Sequence, residues 1–153
     1  MPQQEIRTIL APLAGSNVLL PNSAVAEVLA FERPDPLKDA PDWLLGELAW
    51  HGWQVPVINY LQLIDGSTEQ KITKKTRILV IKTLGESTQV NYLGLVIQGL
   101  PRLKKVTAKT LIENQTDDLH ETLFSQVSID DEPALIPEIA QLTRIVELAA
   151  YGS

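Results

Sequence analysis

The chain has 153 residues, of which 44% are hydrophobic and 21% charged, and its formal charge is −6. These totals suffice for one domain, or for two small lobes that share a core, and they exclude a disordered tail. The acidic excess argues against a nucleic-acid interface or an anionic-membrane surface. Because the sequence has no cysteine, disulfides, thiol nucleophiles and thiolate metal sites are excluded.

The first residues lack a basic flank leading into an apolar run, so no signal peptide is predicted. No apolar stretch reaches membrane-spanning length, and we expect no direct membrane insertion. A cytoplasmic protein is therefore the expectation.

The first third of the chain predicts a hairpin and a short helical turn. Residues 6–13 and 18–20 are strand-like and are separated by a turn cluster at 14–17. Residues 24–31 combine helical spacing with strand composition, so their type stays open. Residues 41–45 predict a helical turn that Gly46 ends.

The stretch 46–63 reads as a strand, a two-residue turn, a second strand and a short helical run. Gly52 supplies the positive φ that a tight turn between twisted strands requires. Pro56 cannot donate a ladder hydrogen bond, so the second strand is predicted to be an edge or to end its pairing there. Residues 65–75 are polar and are the candidate linker.

The second half predicts more strands and one long helix. Strands are expected at 76–84, 89–98 and 102–106, with a turn at 85–88, and a brief helix at 107–112 with Thr107 as its N-cap. Residues 123–129 and 132–136 form a hairpin about Asp130-Asp131. Residues 137–149 predict an amphipathic helix with Pro137 at its first position.

Many short strands at close intervals favour small β-barrels over a parallel α/β sheet. An internal repeat agrees with this interpretation. Placing His51 over Asp130 aligns the two hairpins without a gap, and each hairpin runs into a helix that carries Gln-Leu. The repeat predicts two barrel-like lobes.

The stretch with Gly46, Gly52 and the run Val55-Pro56-Val57-Ile58 resembles the motif of the CheW-like chemotaxis coupling proteins. Residues 25–28 resemble that family's V-x-E-I segment, residues 93–100 its V-G-[IL]-V-V-D-x-V segment, and residues 135–142 its closing strand and helix. The resemblance covers residues 6–149.

This resemblance implies a mainly β fold of two small five-stranded SH3-like β-barrel lobes packed together, with short helices and a C-terminal helix. We expect one domain over residues 5–150, with lobe one at about 15–70 and lobe two at about 76–149. The implied function is a non-catalytic adaptor that couples chemoreceptors to a histidine kinase. Its partners would be the kinase regulatory domain and the cytoplasmic tip of the receptor, at membrane-associated arrays, with no cofactor, metal or nucleic acid.

Three residues, Val25, Glu27 and Gly46, match positions that the family uses at partner contacts, and the predicted partner-binding set is Val25, Glu27, Val28, Gly46, Trp50 and His51. His51 stands where the family usually has an arginine, and Trp50 stands in place of a leucine. Histidine lacks the permanent charge and bidentate fork of arginine. Either the partner differs, or the chain is a divergent accessory coupling protein, such as those of type IV pilus chemosensory systems.

Other interpretations stay open. His51 is equally well explained as a solvent-facing turn residue, Glu27 as an ordinary surface carboxylate, and one of Trp50 and Trp53 is expected to be buried. A second function is a small-ligand-binding sensory barrel whose pocket is lined by Trp50, His51 and Trp53. Metal or acid/base chemistry is not expected, because the two histidines are far apart in sequence and the carboxylate clusters lie on predicted turns.

Overall fold

The computed structural model describes residues 5–66, 71–83, 85, 89–114 and 118–152. Parts of the predicted linker and of the predicted 85–88 turn lie outside these residues. The elements are β1 Ile6–Leu13, β2 Ser16–Pro21, β3 Val25–Ala30, β4 Leu44–Trp50, β5 Trp53–Ile58, α1 Tyr60–Asp65, β6 Arg77–Lys82, β7 Tyr92–Ile97, β8 Arg102–Val106, β9 Leu111–Glu113, β10 Leu123–Ile129, β11 Glu132–Pro137 and α2 Ile139–Tyr151.

The strands form two sheets. Lobe one is the five-stranded sheet β3-β6-β7-β5-β4, and lobe two is the six-stranded sheet β8-β1-β2-β11-β10-β9. The predicted mainly β fold with two lobes and a C-terminal helix is confirmed, although the short β9 gives lobe two a sixth strand. The predicted boundaries at 15–70 and 76–149 are wrong, because β1 and β2 pair in lobe two while β6 and β7 pair in lobe one. Each half of the chain thus completes the sheet of the other.

The repeat is present in the two hairpins β4–β5 and β10–β11. Each is joined by two residues with positive φ, namely His51 (48°) and Gly52 (82°) in the first and Asp130 (50°) and Asp131 (66°) in the second. Two successive positive φ values match the twist of antiparallel strands. Both ladders also shift register two residues after the first strand begins. The two hairpins are therefore copies of one another down to their irregularity.

The core lies inside each lobe and between the lobes. Along β6, Ile78 and Val80 pack inside lobe one, whereas Leu79 and Ile81 pack into the core that both lobes share. Lobe two has its own interior cluster, which includes Leu10. Because the central strands are buried on both faces, they read as continuous apolar runs rather than as alternating ones.

Tyr60 links the two lobes. It begins α1, is 0% exposed, and its hydroxyl donates to the Thr122 carbonyl just before β10 at 2.8 Å. Burial raises the pKa of this phenol, so it stays protonated and keeps the hydrogen bond.

The C-terminal helix α2 starts two residues later than predicted. Pro137 ends β11, Glu138 is the N-cap whose carboxylate accepts from the Ala140 N–H, and the helix begins at Ile139. The Glu138 N–H donates to the Thr122 carbonyl at 2.7 Å, which keeps the chain extended there. The prediction that Pro137 occupies the first helical position was therefore wrong. The other end of α2 is tied to β4, since the Tyr151 hydroxyl donates to the Glu47 carboxylate.

Two local predictions are resolved differently by tertiary pairing. Residues 24–31, whose type was open, contain β3, which pairs with β6. The predicted helix at 107–112 is wrong, because it is a turn followed by β9. The Thr107 hydroxyl accepts a hydrogen bond from the Lys109 N–H at 3.3 Å, so Thr107 caps this turn rather than a helix. After the turn, Leu111 pairs with Ile129.

Pro56 does not lie on an edge strand, because β5 lies between β4 and β7. Its neighbour across the ladder, Glu47, directs its backbone N–H and carbonyl to Asp35, at 2.8 and 2.9 Å. β4 therefore needs no hydrogen bond from Pro56, and pairing with β4 continues to Ile58. On the other side, the parallel pairing with β7 begins at Val57. Because Pro56 has no backbone N–H, the hydrogen-bonded ladder between β5 and β7 does not include it, as expected of proline.

Candidate docking surface

Three of the sequence-predicted residues meet at one end of lobe one. Glu27 lies on β3, and its Oε1 accepts a hydrogen bond from Trp50 Nε1 at 3.2 Å and lies 3.4 Å from His51 Nε2. β3 and β4 are the two outermost strands of this sheet. The contact therefore joins the two edges of lobe one through side chains rather than through backbone hydrogen bonds.

The His51 side chain is presented by its turn, where the backbone φ is 48°. Its side chain is 68% exposed and that of Glu27 43%. The pair is an ion pair when the imidazole is protonated and otherwise a hydrogen bond between a neutral imidazole and a carboxylate. At this exposure it contributes at most about 1 kcal/mol to stability. The carboxylate and imidazole are thus oriented but still accessible to a partner.

Aromatic rings continue this surface. Trp50 and Trp53 are directly opposite in the hairpin and so share a face. Tyr92 of β7 packs edge-on against both, with ring centroids 4.8 and 5.5 Å apart, and Trp50 packs edge-on against His51 at 4.7 Å. Trp50 is half-buried, and Trp53 is 43% exposed. The expected division between the two tryptophans is thus partial, and Trp53 is the ring available for contact.

Tyr92 was missed by sequence reasoning. It lies in a predicted strand, but its place beside the tryptophans depends on the pairing of β7 with β5, and the amino-acid sequences of these two strands do not indicate that they pair.

Val25 and Val28 belong to the predicted partner-binding set but are less accessible than Glu27. Both are half-buried and pack against the shared core, so they fix the position of β3 more than they offer a surface.

Gly46 is not brought to this end of the lobe. It lies inside β4 with φ at 146°, and a Cβ atom placed there would be 2.1 Å from the Asp35 carbonyl oxygen. The prediction that Gly46 ends a helix is wrong, because residues 42–43 form a turn and β4 already begins at Leu44. The glycine is needed where the backbone of Asp35 crosses β4 closely.

The arrangement offers recognition groups: a carboxylate, an imidazole and an exposed indole. In the part of the chain that the structure describes, no group of three His, Asp or Glu side chains could hold a metal ion. The three clefts described are lined by other residues than Trp50, His51 and Trp53. The rings of the hairpin end pack on one another. Neither helix of the described residues has the length and apolarity to span a membrane.

A family model described as the CheW-like domain matches residues 7–147. The chain belongs to the CheW-like domain family. Among solved structures, the crystal structure of the scaffolding protein TtCheW from Thermoanaerobacter tengcongensis aligns with a TM-score of 0.77, over 100% of this chain and 93% of that one. Their sequences are 17% identical, so this likeness shows the fold. No curated protein sequence matches the chain. The resemblance seen in the sequence is thus confirmed at the level of family and fold.

Proposed function

We propose that this CheW-like protein is a non-catalytic adaptor that couples chemoreceptors to a histidine kinase in a bacterial chemosensory system, for chemotaxis or twitching motility. Membership of the CheW-like family over residues 7–147 carries this proposal. The partners are the regulatory domain of the kinase and the cytoplasmic tip of the receptor. The adaptor works in the cytoplasm and is recruited to membrane-associated arrays.

The contact surface of this proposal is the hairpin end of lobe one, formed by Glu27, Trp50, His51 and Trp53. Glu27 is held by the indole N–H of Trp50, so little side-chain freedom is lost on binding. Trp53 gives an exposed aromatic anchor, the residue type that most often dominates binding energy. Val25, Val28 and Gly46 act behind this surface by positioning β3 and β4.

His51 bears on which partner is bound. Without the fixed charge of arginine, the surface presents Glu27 as its permanent charge. A partner that places a cation near Glu27 is favoured over one that places a carboxylate near His51. This difference supports a divergent accessory system, such as one attached to type IV pili.

Titration calorimetry with the purified kinase regulatory domain and the purified receptor tip tests this function. Glu27→Lys reverses the charge and removes the acceptor of Trp50, so binding to at least one partner should weaken by about tenfold or more. Glu27→Gln retains an oxygen acceptor for Trp50 and separates charge from geometry. Glu121→Lys makes the same charge change at an exposed site in lobe two and should leave affinity unchanged. Wild-type affinity in Glu27→Lys would contradict the assignment of this surface.

A further inference from the structure

The end of lobe one opposite the hairpin tip carries a second distinctive surface. In the β6–β7 ladder, the pair Lys82–Tyr92 lies at the aromatic end and the pair Arg77–Ile97 at the other. β3 ends beside Arg77 as well. We name this surface the basic end, and it consists of Arg33, Ile72, Lys74, Lys75, Arg77 and Leu100.

Two clefts lie at the basic end, on either side of the loop 71–76. One, of about 340 Å³, is lined by Phe31, Arg33, Pro34, Pro36, Leu45 and Ile72. The other, of about 270 Å³, is lined by Lys75, Arg77, Gly99 and Leu100. The charged residues among these linings are all cations, although the whole chain has 19 acidic and 13 basic residues. The charged side chains that line the two clefts are thus cationic in a molecule that is acidic as a whole.

The loop is held in place by its own hydrogen bonds. The Thr73 N–H donates to the Thr76 hydroxyl at 2.8 Å, and that hydroxyl donates to the Lys71 carbonyl at 3.2 Å. Arg77 Nη1 donates to the Lys74 carbonyl at 2.8 Å. These bonds use backbone groups of Lys71 and Lys74 and leave the lysine side chains outside. The loop is therefore ordered before any partner arrives, which lowers the entropic cost of binding.

The lysine charges are available to a partner. Lys74 and Lys75 are exposed, and none of the ion pairs found within the described residues uses either ammonium group. Next to them, Leu100 is 67% exposed and Ile72 is 51% exposed. Large apolar side chains beside a polar rim are typical of protein contact surfaces.

We propose that the basic end docks an acidic segment of a protein partner that carries a large apolar side chain. The carboxylates face Lys74, Lys75 and Arg33, and the apolar side chain enters a cleft beside Leu100 or Ile72. A nucleic acid fits less well, because the chain's net charge of −6 repels phosphates and the exposed leucine and isoleucine have no aliphatic counterpart there. The partner belongs to the same signalling assembly, and to that extent this inference rests on the proposed function.

The test uses the full chain with a photo-reactive amino acid at position 100, mixed with the purified kinase regulatory domain or receptor tip. Illumination should cross-link a segment that has Asp or Glu next to a large apolar residue. The double variant Lys74→Glu/Lys75→Glu should weaken binding about tenfold at low salt and less at high salt. The hydrogen bonds that hold the loop do not involve the side chains of Lys74 and Lys75, so the fold should be retained.

Two controls separate charge and apolar effects. Lys105→Glu/Lys109→Glu makes the same charge change at exposed positions near β8 and should not alter binding. Leu100→Ser should weaken binding, whereas Phe124→Ser, at a residue of lobe two that is also 67% exposed, should not.

The outcomes are distinguishable from those of the proposed function. A complex that Glu27→Lys disrupts but Lys74→Glu/Lys75→Glu leaves intact would overturn the basic end and preserve the adaptor function. Cross-linking to a segment without acidic residues, or to a second copy of this chain, would also overturn it. So would binding of the wild type to a DNA duplex or to anionic phosphatidylserine vesicles that the double variant loses. Absence of any complex with either protein would overturn both proposals.

Discussion

The hairpin tips of the two lobes have the same geometry and different chemistry. In lobe one, Glu27 on the edge strand β3 contacts Trp50 and His51. In lobe two, Arg102 on the edge strand β8 donates from Nη2 to both carboxylate oxygens of Glu132, at 2.8 and 2.9 Å. Glu27 pairs with Val80 and Arg102 with Leu10, both of which point into their own lobe's interior. The two contacts thus occupy corresponding places.

Under the proposed function, one repeated unit serves closure in one copy and recognition in the other. The tip of lobe two has two ion pairs, since Lys104 also pairs with Asp130 at 3.2 Å. The tip of lobe one joins its edges through a single carboxylate and leaves an indole and an imidazole exposed. A partner would find unmatched recognition groups on lobe one and neutralised pairs on lobe two.

The largest expected difference between the copies lies at the bulge of each hairpin, where Gly46 corresponds to Ser125. Gly46→Ser should lower the free energy of unfolding by about 3 kcal/mol or more, because the added Cβ would meet the Asp35 carbonyl at 2.1 Å and φ is 146°. Urea denaturation followed by tryptophan fluorescence measures this change.

Ser125→Gly is the matched change in lobe two. Its backbone accepts a side chain already, so we expect a loss of about 1 kcal/mol, mainly through the greater freedom of glycine in the unfolded chain. Equal losses in the two variants would mean that the close crossing of Asp35 does not distinguish the lobes.

A smaller difference is expected where each hairpin enters its helix, at Tyr60 in lobe one and Ile139 in lobe two. Tyr60→Phe removes the donor to the Thr122 carbonyl, which keeps the Glu138 N–H as a partner. The loss should therefore be about 1 kcal/mol, measured by urea denaturation at pH 7. Ile139→Val, which involves no hydrogen bond, is the control for a small change at the corresponding site.

The same tyrosine predicts a pH dependence. Burial raises the pKa of Tyr60 above its ordinary value of 10.0 in the folded chain, so the unfolded chain releases this proton first. The contribution to stability is fully present below pH 10 and is lost as the pH rises beyond it. Unfolding curves from pH 8 to 11 should show a steeper loss for the wild type than for Tyr60→Phe. Parallel pH profiles would contradict the burial of an un-ionised phenol.

Much of the fold could be predicted because its signals are local. The two-residue turns His51-Gly52 and Asp130-Asp131 set the register of both hairpins, and their gapless alignment predicted the repeat. The exchange of strands between lobes could not be predicted, since it depends on pairings between distant segments. The predictions that a helix begins at Pro137 and at Thr107 were wrong for a related reason. Each residue has a true local preference for a helix start, and a distant backbone partner overrides it.

The candidate site was predictable to a lesser degree. Glu27 and His51 are 24 residues apart. The family resemblance placed both in one predicted partner-binding set, but neither the resemblance nor the spacing predicted their contact. Gly46 carried an ordinary helix-end signal, whereas its actual requirement comes from the approach of Asp35. Tyr92 gave no signal at all. Contacts that join the two edges of a sheet lie beyond what periodicity can show.

The smallest expected effect concerns the ion pair that closes lobe two. Arg102 and Glu132 have side chains 51% and 37% exposed, so a double-mutant cycle with Arg102→Ala and Glu132→Ala should give a coupling energy of about 0.5 kcal/mol. High salt should reduce this energy, because exposed pairs are screened. The corresponding cycle of Glu27→Ala with Trp50→Phe involves a neutral donor and should change less with salt. If partner affinity also fell in the Arg102 and Glu132 variants, the tip of lobe two would contribute to partner binding. The proposed division between closure in lobe two and recognition in lobe one would then not hold.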